Sequence, residues 1–412
     1  MDKNDVINIV SQDEYLSISD LRYNRNLGFL LSREEFNLFL KLKDELIIEN
    51  NSLFVVLPLK SFNSKHIYFV NSAYLKYYSS EYFRILSFDY KNNHSSLLNR
   101  NIDDIIKSHL FSEIEGTLNI ENVPTTHKRI AELYKEHKVL DQNDIIVKNM
   151  FNALKFIVSE KPEFNKENLL KIYKMLSENS LAKELEIKPG NYYRDDNVYI
   201  GNHEGAPVNK IEECMESLFS FVNSGSDLIK QFKDFIPHIC HYYILYVHPY
   251  FDFNGRTARV VAFWLSYIMN IKSAPLFISE AINETKHEYY NAIEESRNTN
   301  NDITSFLGYI FNTSIKYSFV YQNLEHIKEY VLKNGDALTN TEWVYVKKIL
   351  IHNNNGFFNC KQFQQFISSS ISKQGASKFI NKFVMYDILR KQKNKKGEII
   401  YSVNNDILIY SF

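Results

Sequence analysis

His248-Pro-Tyr-Phe-Asp-Phe-Asn-Gly-Arg-Thr-Ala-Arg259 brings an imidazole, a carboxylate, an amide, a glycine and two guanidinium groups into twelve residues. The residues before it, 236–247 (IPHICHYYILYV), are almost wholly apolar or aromatic, which suits a buried helix. Pro249 disfavours the α conformation at His248, so that helix is predicted to end there, with the imidazole facing a turn. A second apolar run follows from about Asn254: Val260, Val261, Phe263, Trp264, Leu265, Ile268 and Met269. Asn254 is the predicted N-cap of this second helix, and Gly255 lets a ligand approach the backbone closely. Free N–H groups and the positive dipole end make such a helix start a phosphate site. Arg256 and Arg259 lie three residues apart on one face of it, and arginine forks match phosphate oxygens. Asp252 stands beside them, and one carboxylate plus substrate phosphates is the usual way of holding Mg2+. The residues therefore read as a nucleotide-phosphate site with a metal and a histidine base. GxxxxGK[ST] is absent, so it is not a Walker loop.

The stretch resembles the Fic family signature, HxFx(D/E)GNGRxxR, with Tyr250 at the Phe position and Phe253 at the first Gly. The resemblance implies a mainly α fold: a helical core with a β-hairpin flap, a small α+β N-terminal region and a C-terminal winged-helix-like domain. It implies transfer of AMP from ATP to a Ser, Thr or Tyr hydroxyl of a target protein. His248 would take the hydroxyl proton and Asp252 would hold Mg2+. Asn254, Gly255 and Arg256 would cradle the phosphates, and Arg259 would engage the terminal one. If the family's glycine takes a positive φ, Phe253 strains the anion turn, since a bulky residue pays for that conformation. Removal of AMP by the same fold, and a non-catalytic or DNA-binding regulator with a spoiled phosphate turn, are the alternative readings.

The chain has 412 residues, 44% hydrophobic content and a net charge of −1, which describes two or three globular domains with no global pull toward nucleic acid or membrane. Cys214, Cys240 and Cys360 are widely spaced and read as reduced thiols of a cytoplasmic protein. The first twenty residues lack a signal-peptide core, and no run of eighteen apolar residues occurs, so no membrane partner is expected. The expected division is 1–95, an α+β appendage; 96–320, the core; and 321–412, a connecting helix and winged-helix-like domain.

Ser32 is the predicted N-cap of a helix in the appendage, followed by strands in SLFVVLPL and KHIYFV. Residues 101–117 read as one helix closed by Gly116 as its C′ glycine. They also resemble the inhibitory helix (S/T)xxxE(G/N) of Fic proteins. That resemblance makes Glu115 the inhibitory residue, pairing with Arg259 in place of phosphate, with Phe111 where Ser or Thr is usual and Ser112 three residues before the Glu. Residues 126–160 read as two helices and 166–182 as another.

Residues 189–208 break the helical pattern, and Val198, Tyr199 and Ile200 are strand-like. They resemble the Fic flap, which docks a target peptide by main-chain pairing. His238 and His241 have aromatic neighbours and read as core. Two helices are expected over 274–318, where Tyr289-Tyr290 resembles a tyrosine pair near the family's adenine pocket, and a connecting helix over 320–334. Residues 340–412 carry eleven Lys or Arg against four Asp or Glu in the order helix, helix, helix, hairpin. This order resembles the winged-helix module that often follows Fic cores, and the resemblance makes DNA a candidate partner, with an interaction or dimerisation module as the alternative. Self-modification and homodimerisation are the further partner options.

Overall fold

The computed structural model describes residues 1–24, 30–50, 52–93, 110–136, 139–200, 203–269, 278–352, 356–367 and 371–409. The chain is mainly helical and divides into two compact units, Met1–Ser314 and Ile315–Phe412. Among the described residues no helix is long and apolar enough to cross a membrane.

The first unit opens with α1 (Lys3–Val10), α2 (Ile18–Tyr23) and α3 (Arg33–Glu49). Each starts with a capping box, Asp2 with Asp5, Ser17 with Asp20 and Ser32 with Glu35, so two of the free N–H groups at each start find side-chain oxygens. Strands β1 (Phe54–Leu57) and β2 (Ile67–Val70) pair antiparallel, with Phe54 opposite Val70 and Leu57 opposite Ile67. Tyr68 of β2 also exchanges backbone hydrogen bonds with residues far along the chain: its N–H reaches Asn301 O at 3.3 Å and its carbonyl accepts from Ile303 at 2.9 Å. The N-terminal region is thus joined to the helical core.

That core comprises α4 (Ala73–Asn93), α5 (Phe111–Ile120), α6 (His127–Glu136), α7 (Gln142–Glu160), α8 (Lys166–Ser177), α9 (Val208–Asn223), α10 (Asp227–Gln231), α11 (Ile236–Val247), α12 (Asn254–Ile268), α13 (Ile278–Glu284) and α14 (Lys286–Asn298). Every residue of α11 is buried, as its almost wholly apolar and aromatic sequence requires. Between α8 and α9, β3 (Tyr199–Ile200) pairs with β4 (His203–Glu204) in a short hairpin.

Three expectations change. Gly116 is not a C′ residue, because α5 runs through it to Ile120; residues 101–109 of the expected helix lie outside the described residues. Inside the helix, a Cβ on Gly116 would stand 2.4 Å from the backbone N of Glu280, so the missing side chain is what lets α13 lie against α5. Asn254 is the first residue of α12 rather than its cap; the cap position is Phe253, with no side-chain cap bond. The region after α14 holds one helix, α15 (Thr304–Lys333), where a boundary near 318–320 was expected.

The second unit also contains α16 (Asn340–His352), α17 (Cys360–Phe366), α18 (Lys373–Met385) and the antiparallel pair β5 (Leu389–Lys393) and β6 (Ile399–Val403). Phe358 bridges to Tyr401 and adds a third edge to that pair. The unit has a hydrophobic core that includes Ile327, Val346, Phe363, Ile380, Phe383 and Leu389.

Candidate active site

Helix α11 ends at His248, whose backbone takes the left-handed conformation (φ 54°) while its N–H still reaches Ile244 O at 2.9 Å. The next residues form a turn clasped by one side chain. The Asn254 amide donates to Tyr250 O at 2.8 Å, and its oxygen accepts from Tyr250 N at 3.0 Å. That side chain is committed to the loop, so an anion would meet only the backbone N–H of Asn254. Tyr250 is fully buried and stacks on Tyr173 with centroids 3.7 Å apart, so an aromatic ring packs at the Phe position of the signature.

Phe253 does adopt a positive φ, 66°. A left-handed L-residue costs roughly 1–2 kcal/mol. The turn forms nonetheless, because the ring is buried and the Arg256 guanidinium lies 3.4 Å over its face. Arg256 is 7% exposed, and its Nε and Nη1 have no hydrogen-bond partner among the described residues. Burial lowers its pKa against the pull of Glu121 and Asp252. A buried guanidinium with unused N–H groups at a helix start is a site built for an anion. Asp252 accepts from Phe253 N at 2.6 Å and sits 4.0 Å from Arg256, with its side chain 54% exposed. One accessible hard-oxygen ligand beside an anion site is the donor chemistry that fits Mg2+ shared with phosphates.

A carboxylate already occupies this cradle, and it is not that of Glu115. Arg259 Nη2 is bonded to Glu121, and Arg259 Nε donates to Thr117 Oγ1 at 2.6 Å. A Cβ on Gly255 would come 2.6 Å from Glu121 Oε1, so the carboxylate lies directly on the glycine of the turn. Burial opposes the Glu121 charge, but Arg259, Arg256 and Lys286 together hold its pKa below the ordinary glutamate value. The correction follows from helix geometry. Thr117 and Glu121 are four residues apart and face one way, whereas Glu115 lies about 120° around the helix from Glu121. The signal was in the sequence: Thr117, Glu121 and Asn122 fill all three positions of (S/T)xxxE(G/N). Asn122, at φ 58°, is the left-handed C′ residue, the part expected of Gly116; Val123 N closes the motif on Leu118 O at 2.9 Å. Lys286 adds a bond from Nζ to Asn119 O at 2.5 Å, a cation on the same helix end.

The hairpin stands against His248. A Cβ on Gly205 would meet His248 Cβ at 3.2 Å and Val198 at 3.1 Å, and Ala206 N donates to Val247 O at 2.9 Å. Tyr199 is exposed, with only short pairing to Glu204; the side chain of Ile200 lies outside the described set. Sequence reasoning missed Arg194, which is buried here. It donates from Nε to His248 O at 2.8 Å, from Nη2 to Ala206 O at 2.5 Å and from Nη1 to Asp196 O at 2.5 Å. One guanidinium thus ties both ends of the hairpin to the histidine turn. Its only local signal was an arginine in a turn-rich stretch.

His241 and His238 are core residues. His241 Nε2 hydrogen-bonds the Tyr289 hydroxyl at 2.9 Å, and burial depresses the His238 pKa to about 3. Tyr289 is accordingly core, while its neighbour Tyr290 is half exposed and feels the charges of Glu121 and Arg259. Among the described residues no group of three or more His, Cys, Asp or Glu is placed to hold a metal.

Residues 163–266 match the model of the Fic/DOC family. Relatives described as "Protein adenylyltransferase Fic" are 22% identical over 176 residues in Nematostella vectensis and 22% identical over 217 residues in Drosophila ananassae. The matches cover 42% and 51% of this chain, and 38% and 41% of those relatives. A crystal structure of a Fic family protein from Desulfovibrio desulfuricans G20 aligns over 80% of this chain and 95% of its own, at 16% identity and a TM-score of 0.47.

Proposed function

Because the chain carries a Fic/DOC family domain over residues 163–266, we propose that it is a protein adenylyltransferase held in check by Glu121. The observation that carries this reading is the anion cradle: Arg256 with unused N–H groups, Gly255 and Arg259 at one helix start, in the same turn as His248 and Asp252. ATP is the substrate. Its phosphates lie on the N–H groups of Asn254, Gly255 and Arg256, and the terminal phosphate takes the place of the Glu121 carboxylate on Arg259.

The target chain lies along Val198 and the two residues of β3, Tyr199 and Ile200, whose free main-chain edge pairs with it. His248 takes the proton of the target hydroxyl as its oxygen attacks the α-phosphorus. The bond from that phosphorus to the bridging oxygen breaks, pyrophosphate leaves, and AMP remains as a phosphodiester on the side chain. Mg2+, held by Asp252 with the phosphates, supplies charge neutralisation when bound. The protein's own contribution is positioning and fixed positive charge.

The test is labelling with ATP tagged at the α-phosphate, with Mg2+, for wild type, Glu121→Gly, and Glu121→Gly with His248→Ala. Glu121→Gly should raise label on the protein or a partner at least tenfold, and His248→Ala should remove it. No label and no nucleotide binding in the released variant would sink the reading. Because Glu121 lies beside the histidine turn, a second direction is tested with the same variant. If the enzyme instead removes AMP with Glu121 orienting water, Glu121→Gly abolishes release of AMP from pre-labelled protein.

A further inference from the structure

We propose that the second unit, Ile315–Phe412, is a duplex-DNA-binding module that lays α18 in the major groove and sets the β5–β6 hairpin tip against the phosphate backbone. The first observation is charge. Residues 315–412 hold fourteen Lys and Arg against seven Asp and Glu, in a chain whose total is −1. The acids of residues 340–412 are engaged internally. Glu342 is buried and paired with Lys382 at 2.8 Å, and Arg390 holds Asp406. Asp387 accepts from Asn404 at 3.0 Å, and Glu398 from Asn394 at 2.8 Å. The lysines are not so engaged: Lys361, Lys373, Lys378, Lys391, Lys393, Lys395 and Lys396 are exposed, with no acidic partner among the described residues. The unit therefore shows an unneutralised positive surface, the footprint of a polyanion partner.

The second observation is the composition of α18. Its inner face is Ala376, Ile380 and Phe383, all buried. Its outer face carries Gln374, Lys378, Asn381 and Met385, exposed and spaced four, three and four residues apart, hence one stripe. Amides read adenine bidentately, lysine reads guanine, and an apolar side chain contacts the thymine methyl. An exposed methionine in such a stripe suits a surface that is covered in use. A helix about 10–12 Å across fits a major groove about 12 Å wide.

The third observation is the hairpin. β5 leaves α18 through the short corner Tyr386–Ile388, where Asp387 is left-handed and Ile388 N bonds Phe383 O at 2.9 Å. At the far end, Asn394 Oδ1 accepts from Lys396 N and Glu398 N at 2.9 Å, and Gly397 turns the chain at φ 80°. The tip is thus braced by hydrogen bonds and presents Lys395 and Lys396 to solvent.

The test uses the full chain and a fluorescent pool of random-sequence 30-base-pair duplex DNA, followed by anisotropy across a salt series. Lys393→Gln/Lys395→Gln/Lys396→Gln should weaken binding at least about tenfold at 0.1 M salt and flatten the log–log salt slope by about three. Gln374→Ala/Asn381→Ala should leave the slope unchanged. Against the best duplex selected from the pool, it should lose about tenfold or more of the preference over bulk sequence. All substitutions are at exposed positions, and an unchanged melting temperature confirms that folding is intact. The proposal is overturned if wild type does not bind the pool, if the triple variant binds equally well, or if single-stranded RNA or phosphatidylserine vesicles bind more tightly than duplex DNA.

Discussion

Phe253 is where local strain and ligand chemistry meet. Its backbone takes the region that glycine favours, yet its ring is buried under the Arg256 guanidinium. Burying a phenylalanine contributes roughly 1.5–3 kcal/mol and the cation–π contact roughly 0.5–2, against roughly 1–2 for the left-handed backbone. The ring therefore wins. The expected order of thermal stability is wild type, then Phe253→Gly, then Phe253→Ala, because alanine keeps the strain and loses the ring. Both variants should also bind ATP several-fold more weakly, since Arg256 loses the surface that orients it; calorimetry reads both effects. Glu113 carries a pH signature of its own. Its side chain is buried and its carboxylate accepts from Ser279 N at 3.1 Å, and burial raises its pKa to about 7 from 4.5. The folded state then favours the protonated form. The stability it confers is complete below pH 4.5 and is lost as pH rises through about 7. Glu113→Gln should flatten this fall and stabilise the protein at pH 8 by on the order of 2–3 kcal/mol. Denaturant melts at pH 5 and pH 8 decide it: an equal pH slope in the variant removes Glu113 as the cause. Glu295, also raised to about 7 by burial, gives the remaining slope the same direction.

Helix α5 and the residue after it carry the contacts that hold Arg259 and α13. Thr117 and Glu121 on one face hold Arg259, Glu113 reaches Ser279, and Gly116 lies against the backbone of Ser279 and Glu280. A methyl group at Gly116 has nowhere to go, since its closest contacts are main-chain atoms within 2.4–2.8 Å. Gly116→Ala should therefore push α5 from α13, lower stability by about 1–3 kcal/mol, and loosen Glu121 from the anion site. The expected outcome is a lower melting temperature together with more AMP labelling than wild type. A lower melting temperature without added label would show that α5 can shift while Glu121 stays in place. The β3–β4 hairpin depends likewise on one residue, because Arg194 satisfies three carbonyls from its two ends and from the histidine turn. Lysine cannot reproduce that planar fork. In a Glu121→Gly background, Arg194→Lys should cut kcat/KM for a protein target by about tenfold or more and leave the ATP dissociation constant within about twofold. An equal loss in ATP affinity would move Arg194 from hairpin positioning to general support of the turn.

Across the whole molecule, what was legible in the sequence was what is local. The end of α11 at His248 follows from Pro249, and the cap of α3 from Ser32 and Glu35; both needed only neighbours in the chain. The partner of Arg259 is legible too, since Thr117, Glu121 and Asn122 fill every position of the short motif whereas the window ending at Glu115-Gly116 has Phe111 in place of Ser or Thr. The Arg194 bond to His248 and the joining of the N-terminal region were not legible, since they span 54 and 259 residues. The second of these contacts is an ion pair: Lys43 Nζ lies 2.6 Å from Asp302 Oδ2, both side chains nearly sealed from solvent. Around it, Thr304 Oγ1 bonds Asp302 and accepts from Val70 N at 2.8 Å. The pair's attraction must offset the desolvation of two charges, so its net contribution is small, whereas breaking it strands a buried charge at a cost of about 3–5 kcal/mol. Lys43→Met should therefore destabilise the protein by that amount. Lys43→Met with Asp302→Asn should recover about half, since Asn keeps a bond to Thr304 without a charge. Melting of these two variants and of Asp302→Asn alone closes the cycle and gives the coupling, and a double variant no more stable than Lys43→Met would mean that the N-terminal region is held by the Tyr68 backbone bonds and its apolar core, with the ion pair incidental.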